Sequence, residues 1–209
     1  KIVDQMEWNQ ITQIYPDFSA IHVDIRAKWD SWTFDYDYET GIVTFNFDGS
    51  EDDLKEMSKE FFNFYAKNID RNSKPLKGTI EFLNWAKNKN ISMGVCTNKP
   101  EKLAETLLTK LEIRPYFKAM LGADTLSVRK PHPSHLLETI NRMGGKPENS
   151  VLIGDTNTDR QTALNAIVPC ILVTFGPEGQ GVNRMKADAY LDHYDNLEFV
   201  LNELALQKK

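Results

Sequence analysis

Three short stretches of this sequence carry side chains suited to gripping a phosphate group and a divalent cation. Cys96-Thr97-Asn98-Lys99 offers a hydroxyl and an amide, both able to donate to a phosphate oxygen. Arg129-Lys130-Pro131-His132-Pro133 offers a compact ammonium charge in a loop restricted by prolines. Gly154-Asp155-Thr156-Asn157-Thr158-Asp159 offers two carboxylates four residues apart, the hard oxygen ligands that Mg²⁺ prefers. Each stretch also has an ordinary reading. Thr97 could cap a helix, Lys130 could be a solvated surface lysine, and Asp155 could cap the helix that follows it. Their order is more telling than any one of them: hydroxyl, lysine, acidic pair, each beyond an apolar run of its own.

The elements that would position these residues can be read from periodicity. Short apolar runs at 91–95, 119–121, 151–153 and 170–175 read as buried strands. Helical spacing appears at 79–88, after Pro100 with Leu103, Leu107 and Leu111, and from Ser134 through Leu137 and Ile140 to the stop at Gly144-Gly145. Further helices fit 158–166 and 196–206. Strands alternating with helices predict an α/β fold with a parallel sheet covered on both faces. Ligands of such sheets bind beyond the carboxyl ends of the strands, which is where Thr97, Lys130 and Asp155 fall.

The first third reads differently. Phe34, Tyr36 and Tyr38 alternate with Asp35 and Asp37, and Val43, Phe45 and Phe47 alternate with Thr44 and Asn46. That is the period of half-buried strands, joined here by a turn at Glu39-Thr40-Gly41. Ser50-x-x-Asp53 then reads as a capping box for a helix carrying Leu54, Met57, Phe61 and Tyr65, which Pro75 ends.

Composition sets the outer limits. With 41% hydrophobic and 26% charged residues over 209 positions, the chain reads as one globular domain, or one domain plus a small appendage. The net charge of -5 and the scattered 25 Lys and Arg argue against nucleic acid as a partner. No run reaches the roughly 18 apolar residues of a spanning helix, so no membrane partner is expected. Two cysteines, Cys96 and Cys170, each beside an apolar run, imply no disulfide framework and suit a reducing cytoplasm. The start, Lys1-Ile2-Val3-Asp4, has no signal-like apolar region and no initiator Met, which leaves room for residues upstream.

Residues from about 76 to 205 resemble the phosphoglycolate phosphatase family of the haloacid-dehalogenase-like superfamily. The stretches VCTNKPEKLAETLL, GADTLSVRKPHP and IGDTNTDRQTA resemble that family's second, third and fourth motifs, and VTFGPEG resembles the segment after them. The spacings agree, with 33 residues from Thr97 to Lys130 and 25 from Lys130 to Asp155. The resemblance implies a Rossmannoid core, Mg²⁺ as cofactor and a small phosphorylated metabolite as substrate. It implies that Thr97 and Asn98 hold the phosphoryl group and that Lys130 neutralises it. Asp155 would bind Mg²⁺, with Asp159 supporting that site or ligating directly.

The family's first motif, D-x-D-G-T, departs most. Its first Asp is the nucleophile and its second the acid and base. The best register here is Ile42 to Ser50, which reads N-x-D-G-S: Asp48 fits, but Asn46 stands in the nucleophile position, where an amide is a poor nucleophile. Asp35-Tyr36-Asp37 has both acids without the Gly-Thr, and Asp24-Ile25-Arg26 lacks the second acid. In the family this strand lies mid-sheet, between the strands ending at Thr97 and Asp155. Strand 42–47 is the expected occupant, unless it pairs with 33–38 as an ordinary hairpin. Only 51 residues separate Asn46 from Thr97, too few for the family's full helical cap.

The expected division is therefore a β-rich segment of open role over 1–41 and the phosphatase-like core over 42–209. Two functions fit. One is a Mg²⁺-dependent phosphatase of small metabolites, phosphoglycolate among them, with Asn46, Asp48, Thr97 and Lys130 at the reacting centre. The other is an impaired phosphatase-like binding or interaction protein without the Asp nucleophile. The oligomeric state is open.

Overall fold

A computed structural model of the chain describes residues 32–37, 42–47, 50, 52, 56, 59, 63, 65–71, 73–176 and 179–207. The expected turn at 39–41, the acid Asp48, the candidate Asp24 and the capping residue Asp53 lie outside the described residues. The chain divides into two compact units, Lys1–Lys74 and Pro75–Lys209.

In the first unit, strands β1 (Trp32–Asp37) and β2 (Ile42–Phe47) pair antiparallel, in register from Trp32↔Phe47 to Asp37↔Ile42. Strand 42–47 thus forms the hairpin and belongs to a two-stranded sheet of its own, not to the middle of the parallel sheet. The physical reason is chain entropy. Pairing with the neighbouring strand closes a loop of a few residues, whereas reaching a distant sheet closes a long one. Residues 65–68 are helical, as the periodicity predicts.

The second unit alternates strands and helices: α1 (Thr79–Asn88), β3 (Met93–Cys96), α2 (Glu101–Lys110), β4 (Phe117–Leu121), α3 (Pro133–Arg142), β5 (Leu152–Gly154), α4 (Asn157–Ala166), β6 (Cys170–Val173), β7 (Ala189–Leu191) and α5 (Leu197–Gln207). Every ladder here is parallel. The strands form two groups, β3-β4 and β5-β6-β7, with no described strand between β3 and β5. Short β7 has no clear periodicity in sequence and exists by pairing with β6.

The helices bury part of the stripes that the spacing predicts: Leu83, Ala86, Leu103 and Ile140 are buried, while Leu107, Leu137 and Met143 are only partly so and Ile80 is exposed. In α3, His135, Leu136, Thr139 and Ile140 face inward, and Gly144, at φ 73°, takes the left-handed turn that ends the helix. In α4 the inward positions are Asp159, Thr162, Ala163 and Ala166. Its small residues let the helix sit close on β5 and β6. Leu136 and Ile140 of α3 share a core with Leu152, Ala163 and Leu172. Beneath the sheet, Leu197 and Leu204 of α5 pack with Ile171, Val173 and Leu191. Leu83 and Ala86 of α1 pack with Met93 and Ile113. Among the described residues no helix is long and apolar enough to cross a membrane.

Candidate functional site

Thr97, Lys130 and Asp155 follow β3, β4 and β5 at the carboxyl ends of parallel strands, and a chain of hydrogen bonds links their loops. The Asn98 side-chain amide donates to the Lys130 carbonyl at 3.2 Å, tying the first loop to the second. The Lys130 ammonium donates to Asp159 Oδ1 at 2.6 Å, tying the second to the third.

The third loop is the most completely built. Thr156 caps α4: its hydroxyl accepts from the Asp159 N–H, while Asp159 Oδ2 accepts from the Thr156 N–H at 3.1 Å, a reciprocal capping box. Asp159 Oδ2 also accepts from the Asp155 N–H at 3.2 Å and the Thr156 hydroxyl at 2.7 Å. Burial by itself would raise the Asp159 carboxyl. The Lys130 charge and hydrogen bond, with Thr156 and the Asp155 N–H, outweigh that and hold it below its ordinary 3.8. Gly154 makes this seat possible, because a Cβ there would lie 2.4 Å from Asp159 Cβ and Cγ. Gly176 does the same more gently for Asp155, whose Cβ would lie 3.0 Å from an added Cβ.

These contacts decide the three ordinary readings. The cap of α4 is Thr156, not Asp155. The cap of α2 is Pro100; Thr97 Oγ1 instead accepts from the Lys99 N–H at 3.1 Å, which leaves its own O–H to donate elsewhere. The Lys130 side chain is only 10% exposed and ion-paired, so it is no surface lysine. Asn46 lies in β2, and its side chain, like all of Asp48, is outside the described residues.

The sequence did not disclose the partnership of Lys130 with Asp159, since the two were read as a phosphate contact and a metal ligand. It also missed a part-buried pair at the end of β3. Cys96 Sγ lies 3.1 Å from His135 Nδ1, and His135 Nε2 lies 2.8 Å from the Gly122 carbonyl. A carbonyl requires a donor, so Nε2 carries the proton and Nδ1 accepts from the thiol. Burial keeps the Cys96 thiol above its usual range and the His135 ring below its own, so both are neutral. Beside Thr97, burial brings the Lys99 ammonium down to about 8.

As for a cation, Mg²⁺ is commonly held through one or two carboxylates together with phosphate oxygens. Asp155 can supply one. Asp159 is engaged by Lys130 and the α4 turn, and among the described residues no three His, Cys, Asp or Glu side chains group as a metal cluster. The described residues fit a cation shared with a phosphate better than a cage of protein ligands.

The haloacid dehalogenase-like hydrolase profile matches residues 38–173, and the chain belongs to that family. Among named relatives, the phosphoglycolate phosphatase of Agrobacterium fabrum is 36% identical over 158 residues, covering 76% of this chain and 68% of its own length. That of Mesorhizobium japonicum is 35% identical, covering 70% of this chain and 65% of its own length. The chain thus spans about two thirds of these relatives. Among solved structures, a predicted phosphoglycolate phosphatase from Haemophilus somnus 129pt superposes with a TM-score of 0.68 at 25% identity, over 74% of this chain and 69% of that one. The Rossmannoid α/β fold expected from the sequence is the fold observed.

Proposed function

We propose that the strand edge beyond β3, β4 and β5 binds a phosphomonoester of a small metabolite together with Mg²⁺, and that the protein hydrolyses it, phosphoglycolate being the leading substrate. The observation that carries this reading is the Asn98–Lys130–Asp159–Asp155 chain of contacts, which brings donors, a cation and a carboxylate to one edge. The names of the relatives support the substrate. Thr97 offers a free O–H, and the Asn98 amide has a second N–H after serving Lys130. Both can donate to phosphoryl oxygens, while Lys130, oriented by Asp159, offsets their charge. Asp155 would hold Mg²⁺, which supplies further charge neutralisation when bound. The proposed family-like domain runs over 42–209, with 1–41 apart. Two free thiols, Cys96 and Cys170, suit a reducing cytoplasm.

A second reading is a phosphate binder without turnover. It is favoured by Asn46 in the nucleophile position and by β2 lying in a hairpin. The deciding experiment measures phosphate release from phosphoglycolate with and without Mg²⁺, alongside calorimetry with inorganic phosphate and Mg²⁺. Mg²⁺-dependent release that Asp155→Asn abolishes supports the enzyme. Binding without release supports the binder. Neither release nor binding rejects the site.

A further inference from the structure

His135 is fully buried in the first turn of α3, and the phosphate site described above gives it no part in the chemistry. Its ring nonetheless touches two strand ends. Nε2 donates at 2.8 Å to the carbonyl of Gly122, the first residue beyond β4. Nδ1 accepts at 3.1 Å from the thiol of Cys96, the last residue of β3. Cys96 immediately precedes Thr97, and Lys130 lies five residues before His135. One ring therefore joins the segment that carries the lysine to the strand ends from which the first two loops leave.

Those strand ends are already fastened to each other. The Thr97 N–H donates to the Leu121 carbonyl and the Ala123 N–H to the Lys99 carbonyl, each at 3.0 Å. The Glu101 N–H donates to Asp124 Oδ1 at 2.7 Å. Gly122 lies so close to the start of α2 that an added Cβ would meet the Glu101 nitrogen at 2.2 Å. Residues 97–101 and 121–124 thus form one hydrogen-bonded block. What the block needs is a fixed distance to Lys130, because a hydroxyl and an ammonium can share one phosphate only from a set geometry. The Asn98 amide makes one tie, to the Lys130 carbonyl. His135 makes another, through α3. An apolar side chain could fill the same space, but hydrogen bonds at two diverging ring nitrogens fix both the position and the rotation of the ring. Burial, helped by the Lys130 charge, holds the ring below its ordinary 6.5, so it stays in the neutral form that these two partners require.

We infer that His135 is a positioning residue: its ring locks the Thr97–Asn98 loop and the end of β4 onto α3, at the spacing from Lys130 that a phosphate group requires. The inference deepens the phosphate reading of this edge and rests on it. His135 acts through Thr97 and Lys130 and makes no contact of its own with phosphate.

The test titrates the full chain with inorganic phosphate and Mg²⁺ by calorimetry, follows urea unfolding, and reads the His135 ring by nitrogen NMR. His135→Phe removes both hydrogen bonds and should weaken phosphate by roughly fivefold, the worth of about one net hydrogen bond. His135→Gln, whose amide can donate to the Gly122 carbonyl, should recover most of that loss. Ile140→Ala loosens the same helix one turn further on. It should lower the urea midpoint at least as far as His135→Phe does, and leave phosphate affinity within about twofold of the wild type. The wild-type ring should carry its proton on Nε2 alone. Unchanged affinity in His135→Phe overturns the inference. So does a His135→Gln no better than His135→Phe, an equal loss in Ile140→Ala, or a proton on Nδ1. If His135→Phe does not fold, Cys96→Ala decides: it takes the donor from Nδ1 and should weaken phosphate by about twofold, and unchanged affinity overturns the inference. A wild type that binds no phosphate rejects the reading of the edge and this inference with it. That outcome is distinct from a wild type that binds while His135→Phe binds equally well.

Discussion

Asp159 and Asn98 sit in loops that meet at one strand edge, yet they are finished to different degrees. Asp159 meets four side-chain or backbone donors and is nine-tenths buried: Lys130, the Asp155 N–H, and both the N–H and hydroxyl of Thr156. Asn98 has one bond, to the Lys130 carbonyl, and a buried oxygen with no partner. Three of the four donors to Asp159 are local, within the capped turn of α4, and the fourth comes from the neighbouring loop. The difference teaches that the β5–α4 corner is a finished platform, while the β3 side is an open half.

The sharpest way to break this comparison is Asp159→Ala. It breaks the buried Lys130–Asp159 ion pair, and removing one partner of such a pair costs about 3–5 kcal/mol. Urea unfolding should show a drop of that order; a loss below about 1 kcal/mol would mean that the corner is not the finished part. Gly154→Ala should follow, at about 1–3 kcal/mol, because the new Cβ drives into Asp159 and backbone must move. Gly176→Ala should cost less, since its closest contact to Asp155 needs only a small shift.

Acid sharpens the same contrast. The Asp159 carboxyl is depressed in the folded protein, so between its folded value and 3.8 the unfolded chain binds more protons. Its stabilisation is complete above 3.8 and fades as the pH falls through the folded value. Urea midpoints measured on acidification below 3.8 should fall more steeply in the wild type than in Asp159→Asn; parallel curves would remove Lys130–Asp159 as the source.

The smallest effect belongs to the open half. Asn98→Ala loses one hydrogen bond but also removes an orphaned oxygen, so the two nearly cancel and stability should change by about 1 kcal/mol or less. A loss as large as that of Asp159→Ala, seen in the same urea experiment, would show that Asn98 already has the partner it is missing.

Much of this protein was legible in its sequence because the relevant signals are local. Apolar runs of strand length, 3.6-residue spacing in α1 and α3, and the order of Thr97, Lys130 and Asp155 are all carried by near neighbours. Each residue's place after a strand fixes its place at the sheet edge, whatever the details of packing. The tertiary structure alone decided who pairs with whom. Lys130 meets Asp159 only because the β4 and β5 loops are folded to one edge, 29 residues apart in sequence. Thr156 rather than Asp155 takes the α4 cap because backbone geometry at that turn presents its hydroxyl. Strand 42–47 carries a pattern that suits a hairpin or a sheet interior equally well, and periodicity does not name a partner. The nearby strand 32–37 pairs with it, because closing a short loop costs less entropy than closing a long one.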